Sequence, residues 1–507
     1  MTSTLLRGGR VASPTHPHAT ALLTTGGTVG WVGTDADAPD ADHTHDLAGA
    51  WVAPAFVDSH VHATQTGLAL TGLDLSGTPS LAAALDAVAD NARKLRGRPI
   101  LGTGWDDTTW PERRPPTPAE LDRASYGGVV FLARVDHHSA VASSALLAAA
   151  PAARELTGWS ETGHVRLAAH HEVRRTAYAS ITAAQRQAAQ RACRQHAASL
   201  GIACLQEMSG PQITGGVVDL ETLLHLAGTE DGPQVIAYWG ELDGPHAAEP
   251  GAALSTVERL GLAGAAGDLF CDGSLGSHTA ALQHPYADAP DRSGHHWHDA
   301  RAVAGHLVAC TKAGVQGGFH AIGDAAIQTI LDGLALAETE VGLPALRAVR
   351  HRIEHAEVLP RGGVEAFARY GLVASVQPAF DAAWGGPDGM YAQRLGAERA
   401  RGMNPFARFL DQGVPLALGS DSPVTPLDPW GGVRAATRHR TAASSIPYAA
   451  ALDAATRGGW AAAGHDGGVL APGAPATYAV WDAEFDPDRP DPTCLRTVLR
   501  GQPIYEG

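Results

Sequence analysis

The chain has 507 residues, too many for one ordinary core, so a large domain with a smaller satellite is expected. Hydrophobic residues make up 44% and charged residues 18%, the balance of a folded globular protein. The formal net charge of -16 argues against nucleic acid or an anionic membrane surface as a partner.

In chain order, the opening M-T-S-T-L-L-R-G-G-R has no apolar core followed by a cleavage site, so no secretory signal is expected. Apolar runs at 21–23, 29–32 and 51–52, separated by turns rich in Gly, Pro and Asp, predict short strands. Such strands cannot stand alone. Strand-like runs at 476–481 and 495–499 offer them partners, with breakers at Gly473, Pro475 and Pro490. A small β-sandwich built from both termini, residues 1–53 and 466–507, is therefore expected. A barrel over 54–465 would sit between them, interrupted by an insertion at about 65–170.

Residues 54–64 read P-A-F-V-D-S-H-V-H-A-T. Alternate side chains of a strand share a face, so His60 and His62 project together while Val61 points away. Two imidazoles leaving the C-terminal end of a buried strand make half of a metal site. Next, 80–95 reads as a helix with Ser80 as N-cap, and 100–105 as a strand. A clear strand at 129–135 ends in Asp136-His137-His138, and the alanine-rich 140–150 predicts a helix.

Beyond Thr176 helices and strands alternate. A helix at 183–200 ends at Gly201. Strands are predicted at 202–205, 235–239, 269–271, 315–319, 349–353, 372–376 and 415–418. With the His60 strand these make eight, and the alternation predicts an α/β protein whose core is a (β/α)8 TIM barrel. Strand ends carry His320 (G-G-F-H-A-I-G-D), His355 (R-I-E-H-A-E) and Asp421 (L-G-S-D-S-P). His60, His62, His320 and Asp421 together suit zinc or a similar divalent ion. No run reaches the ~18 apolar residues of a membrane span. Five scattered cysteines, at 193, 204, 271, 310 and 494, form no disulfide framework, which suits a reducing cytoplasm.

Three stretches carry a resemblance: G-W-D-D-T-T-W-P-E-R-R-P-P-T from Gly104, D-G-S-L-G-S-H-T-A-A-L from Asp272 and H-R-I-E-H-A from His351. With the histidines above, they resemble the amidohydrolase superfamily, in its N-substituted formamide deformylase-like (YtcJ-like) branch. The resemblance spans nearly the whole chain. It implies hydrolysis of a C–N bond that is not a peptide bond, in an amide or an N-formyl or N-acyl amine, by metal-activated water. Asp421 would shuttle the proton, His355 would ligate metal or contact the oxyanion, and His138 would lie near the substrate.

One departure stands out. Relatives of this branch carry a lysine before F-x-D-G-S-L-G-S, and here Asp268 occupies that place. The only lysines are Lys94 and Lys312, and neither falls at the end of the fourth strand. A bridging lysine is thus excluded; Glu207 or Asp268 could supply a carboxylate in its place, or a single ion could bind with Glu207 only hydrogen-bonded nearby, and spacing does not decide between these. One tightly bound ion is expected. Asp272, Asp324 and Glu354 are candidates for orienting the histidines. Trp105 and Trp384 are candidates for an apolar pocket. The expected partner is a small-molecule amide, with homo-oligomerisation left open. Deamination or cyclic amide opening on the same fold, and a barrel that binds metal or ligand without catalysis, remain as alternatives.

Overall fold

The computed structural model describes residues 2–214 and 216–507. At its centre is a sheet of eight strands, hydrogen-bonded in chain order. They are β1 (Phe56–Val61), β2 (Ile202–Ser209), β3 (Gln234–Trp239), β4 (Gly264–Ala265), β5 (Gln316–Ala321), β6 (Arg352–His355), β7 (Val373–Val376) and β8 (Leu416–Leu418). Every neighbouring pair is parallel. A parallel bridge between Val61 and Ser422 joins the two edges, so the sheet is a nearly closed (β/α)8 barrel. Parallel strands need crossover helices, and these cover the outside, including Ala183–Ser199, Ala300–Ala313 and Asp324–Val341. The barrel and its helices share one large core that includes Phe319, Ile330, Ile353, Phe367 and Phe409.

Gly201 shows how closely the parts meet. It adopts φ +75° after helix Ala183–Ser199, and an added Cβ would lie 2.4 Å from the Trp481 ring. Only glycine turns the chain there without collision. The Gly201 carbonyl also accepts the Phe56 N–H at 2.9 Å, at the start of β1.

Two smaller sheets lie at the chain ends. One orders Thr28–Gly33, Ala21–Thr25, Ser3–Arg7 and His43–Asp46. The other orders Arg10–Val11, Trp51–Pro54, Tyr478–Trp481, Cys494–Leu499 and Gln502–Glu506. Leu6, Leu22, Val32, Val52, Val480 and Val498 form a core common to both sheets. Between β1 and β2 the chain builds a five-stranded sheet ordered His164–Arg166, Ser139–Ala142, Val130–Arg134, Ile100–Trp105 and Leu73–Asp74.

Two local expectations are corrected. The fourth barrel strand is Gly264–Ala265 rather than 269–271. Two small residues give little strand signal, while the apolar Leu269-Phe270-Cys271 packs after the strand, with Phe270 bridged to His320. The alanine-rich 140–150 is not one helix. Ser139–Ala142 pairs with Val130–Arg134, and a helix follows only at Ser144–Ala149. Alanine's helix preference is weak enough for sheet pairing to override it. Among the described residues no helix is long and apolar enough to cross a membrane. All five cysteines are free and buried.

Candidate metal centre and active site

The C-terminal rim of the barrel gathers four histidines and two aspartates. The Asp421 N–H donates to the His60 carbonyl at 2.8 Å, and the His62 N–H donates to the Ser422 carbonyl at 3.0 Å. These bonds run along the barrel seam and hold Asp421 against both rings. Its Oδ1 lies 3.4 Å from His60 Nε2 and 3.1 Å from His62 Nε2. His320 arrives on β5 and His355 at the end of β6. Asp268, just past β4, reaches into the middle. Its Oδ1 lies 3.5 Å from both His60 Nε2 and His320 Nδ1, and 3.9 Å from His355 Nε2. Its Oδ2 lies 3.2 Å from His62 Nε2. His355 and Asp421 take left-handed backbone angles, φ 69° and 53°. Such conformations cost ~1–3 kcal/mol each and persist only where the surroundings enforce them, as the seam does for Asp421.

Each of the four imidazoles has one nitrogen engaged outward. His60 Nδ1 meets Glu354 Oε2 at 2.9 Å, His62 Nδ1 the Met208 carbonyl at 3.0 Å, and His355 Nδ1 Gln377 Oε1 at 2.8 Å. His320 uses the other nitrogen, Nε2, toward the Gly273 carbonyl at 3.2 Å. All four partners are acceptors, so the engaged nitrogen carries the proton and the other presents a lone pair. The four lone pairs converge on Asp268 and Asp421. Among the described residues, His60 Nε2, His320 Nδ1 and Asp268 Oδ1 are buried without a hydrogen-bond partner. Buried polar atoms are seldom left so, and bare imidazole nitrogens beside carboxylates fit a divalent cation. Two overlapping groups bring ligand atoms together: His60, His62 and Asp421, and His60, Asp268 and His355.

The electrostatics agree. Burial opposes charge on His355, yet Asp268 and Asp421 outweigh it and lift its pKa to about 9. His62 is likewise raised against its burial by the same two carboxylates. Burial works on Asp268 in the opposite sense, and the surrounding histidines still hold it well below the carboxylate range. A cation at the centre would satisfy both carboxylates while leaving the imidazoles neutral.

The remaining predicted residues divide. Glu354 is buried, with one oxygen on His60 and the other on Arg352 Nε at 2.5 Å. Asp272 accepts the N–H groups of Ile322, Gly323 and Ala281 at 2.8–3.0 Å and so shapes the turn after His320. Glu207 stands outside both groups of converging ligand atoms. It accepts the Ala63 N–H at 2.7 Å, and burial lifts its pKa to about 7. Asp324 does not orient a histidine: it accepts the Gln283 N–H at 2.9 Å. Trp105 does not line the cavity. It is buried in the inserted sheet, with Nε1 donating to the Leu132 carbonyl at 2.8 Å. Trp384 does line the cavity, and so does His138, whose ring lies 5.1 Å from that of His320.

The cavity has two lobes that share Asp136, His138, His320, Asp421 and Val424. One is walled by Leu275, Ile322, Phe380, Trp384 and Met390. Phe380 stacks against His355 with ring centroids 5.9 Å apart. The other, the more polar lobe, carries His62, His137, His171, Arg174 and Asp268 in its lining. Two of the quoted motifs meet at the cavity wall. Asp106 and Asp107 hold Arg134 at 2.7 and 3.2 Å, Arg134 reaches Asp136 at 3.3 Å, and Ser274 and Ser277 donate to Asp136 at 3.0 and 2.6 Å. Gln377 and Arg134 had not been singled out in the sequence. Only the place of Arg134 just before Asp136-His137-His138 hinted at its role.

Comparison with known proteins agrees with this geometry. The model of the Amidohydro_3 amidohydrolase family matches residues 43–505. YtcJ of Bacillus subtilis is 26% identical over 91% of this chain and 90% of its own length. The N-substituted formamide deformylase of Arthrobacter pascens is 24% identical over 81% of this chain and 78% of its own. The crystal structure of an uncharacterized metal-dependent hydrolase from Pyrococcus furiosus superposes with a TM-score of 0.72 at 27% identity, covering 96% of this chain and all of that one. The chain belongs to the amidohydrolase family of metal-dependent hydrolases.

Proposed function

We propose that the protein hydrolyses a C–N bond other than a peptide bond, in an N-formyl or N-acyl amine, with one tightly held divalent ion, zinc by its donor set. The observation that carries this reading is the set of four imidazole nitrogens freed by outward hydrogen bonds and turned on two buried carboxylates. The formamide deformylase among the relatives supports the choice of bond. His60, His62 and Asp421 would hold the ion, with Asp268 and His355 completing its surroundings. The two candidate ligand groups share His60 Nε2, and one lone pair serves one ion, which favours a single tight site.

When bound, the ion supplies Lewis acidity and brings the pKa of a water down toward ~7. Asp421 takes the water's proton and returns it to the leaving amine nitrogen. Its Oδ1, between two imidazoles, stays ionised and accessible to the cavity. Burial, reinforced by His320, pulls the His138 pKa down to about 3, so its imidazole is neutral at physiological pH. It is suited to donate a hydrogen bond to the carbonyl oxygen as that oxygen gains charge. The two cavity lobes receive the groups on either side of the scissile bond, and the cytoplasm is the proposed setting.

A panel of N-formyl and N-acyl amines, assayed for amine release with the metal-loaded protein, tests this reading. Metal-dependent release from at least one member is expected. No release from any member, with metal fully bound, would contradict it.

A further inference from the structure

The polar lobe contains a cation without a counter-ion. Helix Leu167–Ala179 carries His171, Arg174 and Tyr178 at spacings of three and four, which place them on one face. That face lines the polar lobe together with His62, Asp268 and Asp421. Arg174 is only 7% exposed. One Nη donates to the Gln212 carbonyl, and Nε has no hydrogen-bond partner among the described residues. Among the described residues it makes no ion pair. Tyr178 and Asp268 act on it only through space, and burial, the larger effect, pulls its pKa below the usual arginine value.

The other buried arginines show how unusual this is. Arg134 faces three aspartates, Arg352 faces Glu354 and Arg394 faces Asp288. Arg194 also lacks a carboxylate, but it donates to two helix-end carbonyls, those of Leu226 and Glu230, and lines no cavity described above. A buried guanidinium is costly unless it is paired and hydrogen-bonded. Arg174 lines that lobe beside the reacting centre, and its planar fork matches the geometry of a carboxylate.

We propose that Arg174 binds a carboxylate of the substrate, so that the hydrolysed amide carries an anionic group on one side of the scissile bond and an apolar group on the other. This rests on the hydrolytic reading given above. The anion would lie in the polar lobe and the apolar group against Phe380, Trp384 and Met390. The two lobes meet at His320 and Asp421, where the amide carbon would sit. The substrate class is therefore an N-acylated amine with a carboxylate on one side of the scissile bond and an apolar group on the other, such as an amino acid carrying an apolar acyl group.

The test titrates phenylacetate and phenylacetamide, by calorimetry, into the metal-loaded protein and its Arg174→Met and Arg174→Lys variants. A charge-assisted hydrogen bond to a charged group predicts a preference for the carboxylate of ~10–100-fold in the native protein. That preference should fall to near unity in Arg174→Met and to an intermediate value in Arg174→Lys, which keeps the charge and loses the fork. An equal preference in Arg174→Met would mean that the metal centre holds the carboxylate, and would overturn the proposal. So would the absence of any preference in the native protein. Should Arg174→Met fail to fold, Arg174→Lys decides: an undiminished preference there contradicts bidentate binding. Hydrolysis of N-phenylacetylglycine against N-methylphenylacetamide, which differ only by the carboxylate on the amine side, separates the two readings. Metal-dependent cleavage of both, at equal KM, sinks the carboxylate anchor and keeps the hydrolase. Carboxylate binding through Arg174 with cleavage of neither does the reverse.

Discussion

Two layers of the barrel interior lie next to each other and are both buried and charged, yet they behave oppositely. In the deeper layer Arg352 donates to both oxygens of Glu354, to Gln206 Oε1 at 2.8 Å, to the Ser59 carbonyl at 2.8 Å and to Ser375 Oγ at 2.9 Å. Its guanidinium also lies 4.4 Å from the Tyr238 ring. The guanidinium is thus met on every nitrogen. In the layer at the rim, His60 Nε2, His320 Nδ1 and Asp268 Oδ1 have no hydrogen-bond partner among the described residues. The deeper layer is a closed network that holds the fold, and the rim is an open one that needs something from outside. Glu354 links the two: both its oxygens meet Arg352, and Oε2 also meets His60 Nδ1. The contrast teaches that burial and charge alone do not mark a site. The mark is convergent groups whose second hydrogen bonds are fixed while their first remain unmade.

The largest effect is expected at the open layer. The His60→Ala/His62→Ala double variant should lose both metal and hydrolysis while its circular dichroism and solubility remain native. Loss of fold would mean that the rim, too, is a structural layer and would erase the contrast. Asp421→Asn keeps the shape of the side chain and removes its basicity. General acid–base catalysis contributes ~10²–10⁴-fold, so kcat should fall by at least that factor while metal content falls less. A near-normal kcat would take Asp421 out of the proton path.

The closed layer should answer in stability instead. Arg352→Met strands Glu354 as a buried unpaired carboxylate, a change that costs about 3–5 kcal/mol. A lower melting temperature is expected even in metal-free protein, whereas the histidine variants should melt like the metal-free native chain. The smallest effect is expected at the link between layers. Glu354→Gln leaves a side chain of the same size but weakens the bond that fixes His60, and changes of this kind cost ~10–100-fold in metal affinity. A competition titration with a chelator measures it, and an unchanged affinity would show that His60 is oriented by packing alone.

Much of the rim could be read from the chain because strand ends fall at predictable places. His60 and His62 follow from alternation along one strand, and His320, His355 and Asp421 from apolar runs that stop at a polar residue. The central place of Asp268 was less legible. Its strand, Gly264–Ala265, has two residues and no apolar signature, so the adjacent Leu269-Phe270-Cys271 looked like the strand and put Asp268 ahead of it. Asp324 and Trp105 lie beside motif residues in the sequence, but the fold turns them to other tasks. Arg174 gave no signal because an arginine on a helix is ordinarily solvated. Only the packing of that helix over the barrel mouth buries it. Which partner a buried group lacks is a property of the assembled structure, and local sequence does not contain it.

The central claim is that the open layer is completed by a metal ion. The most direct measurement is elemental analysis of the purified native protein, before and after dialysis against a chelator, with amine release from the best N-formyl or N-acyl substrate followed in parallel. The account predicts one tightly held ion per chain, zinc in the first instance, with activity lost as the ion is removed and restored when it is returned. Undiminished hydrolysis by protein carrying no metal would contradict it.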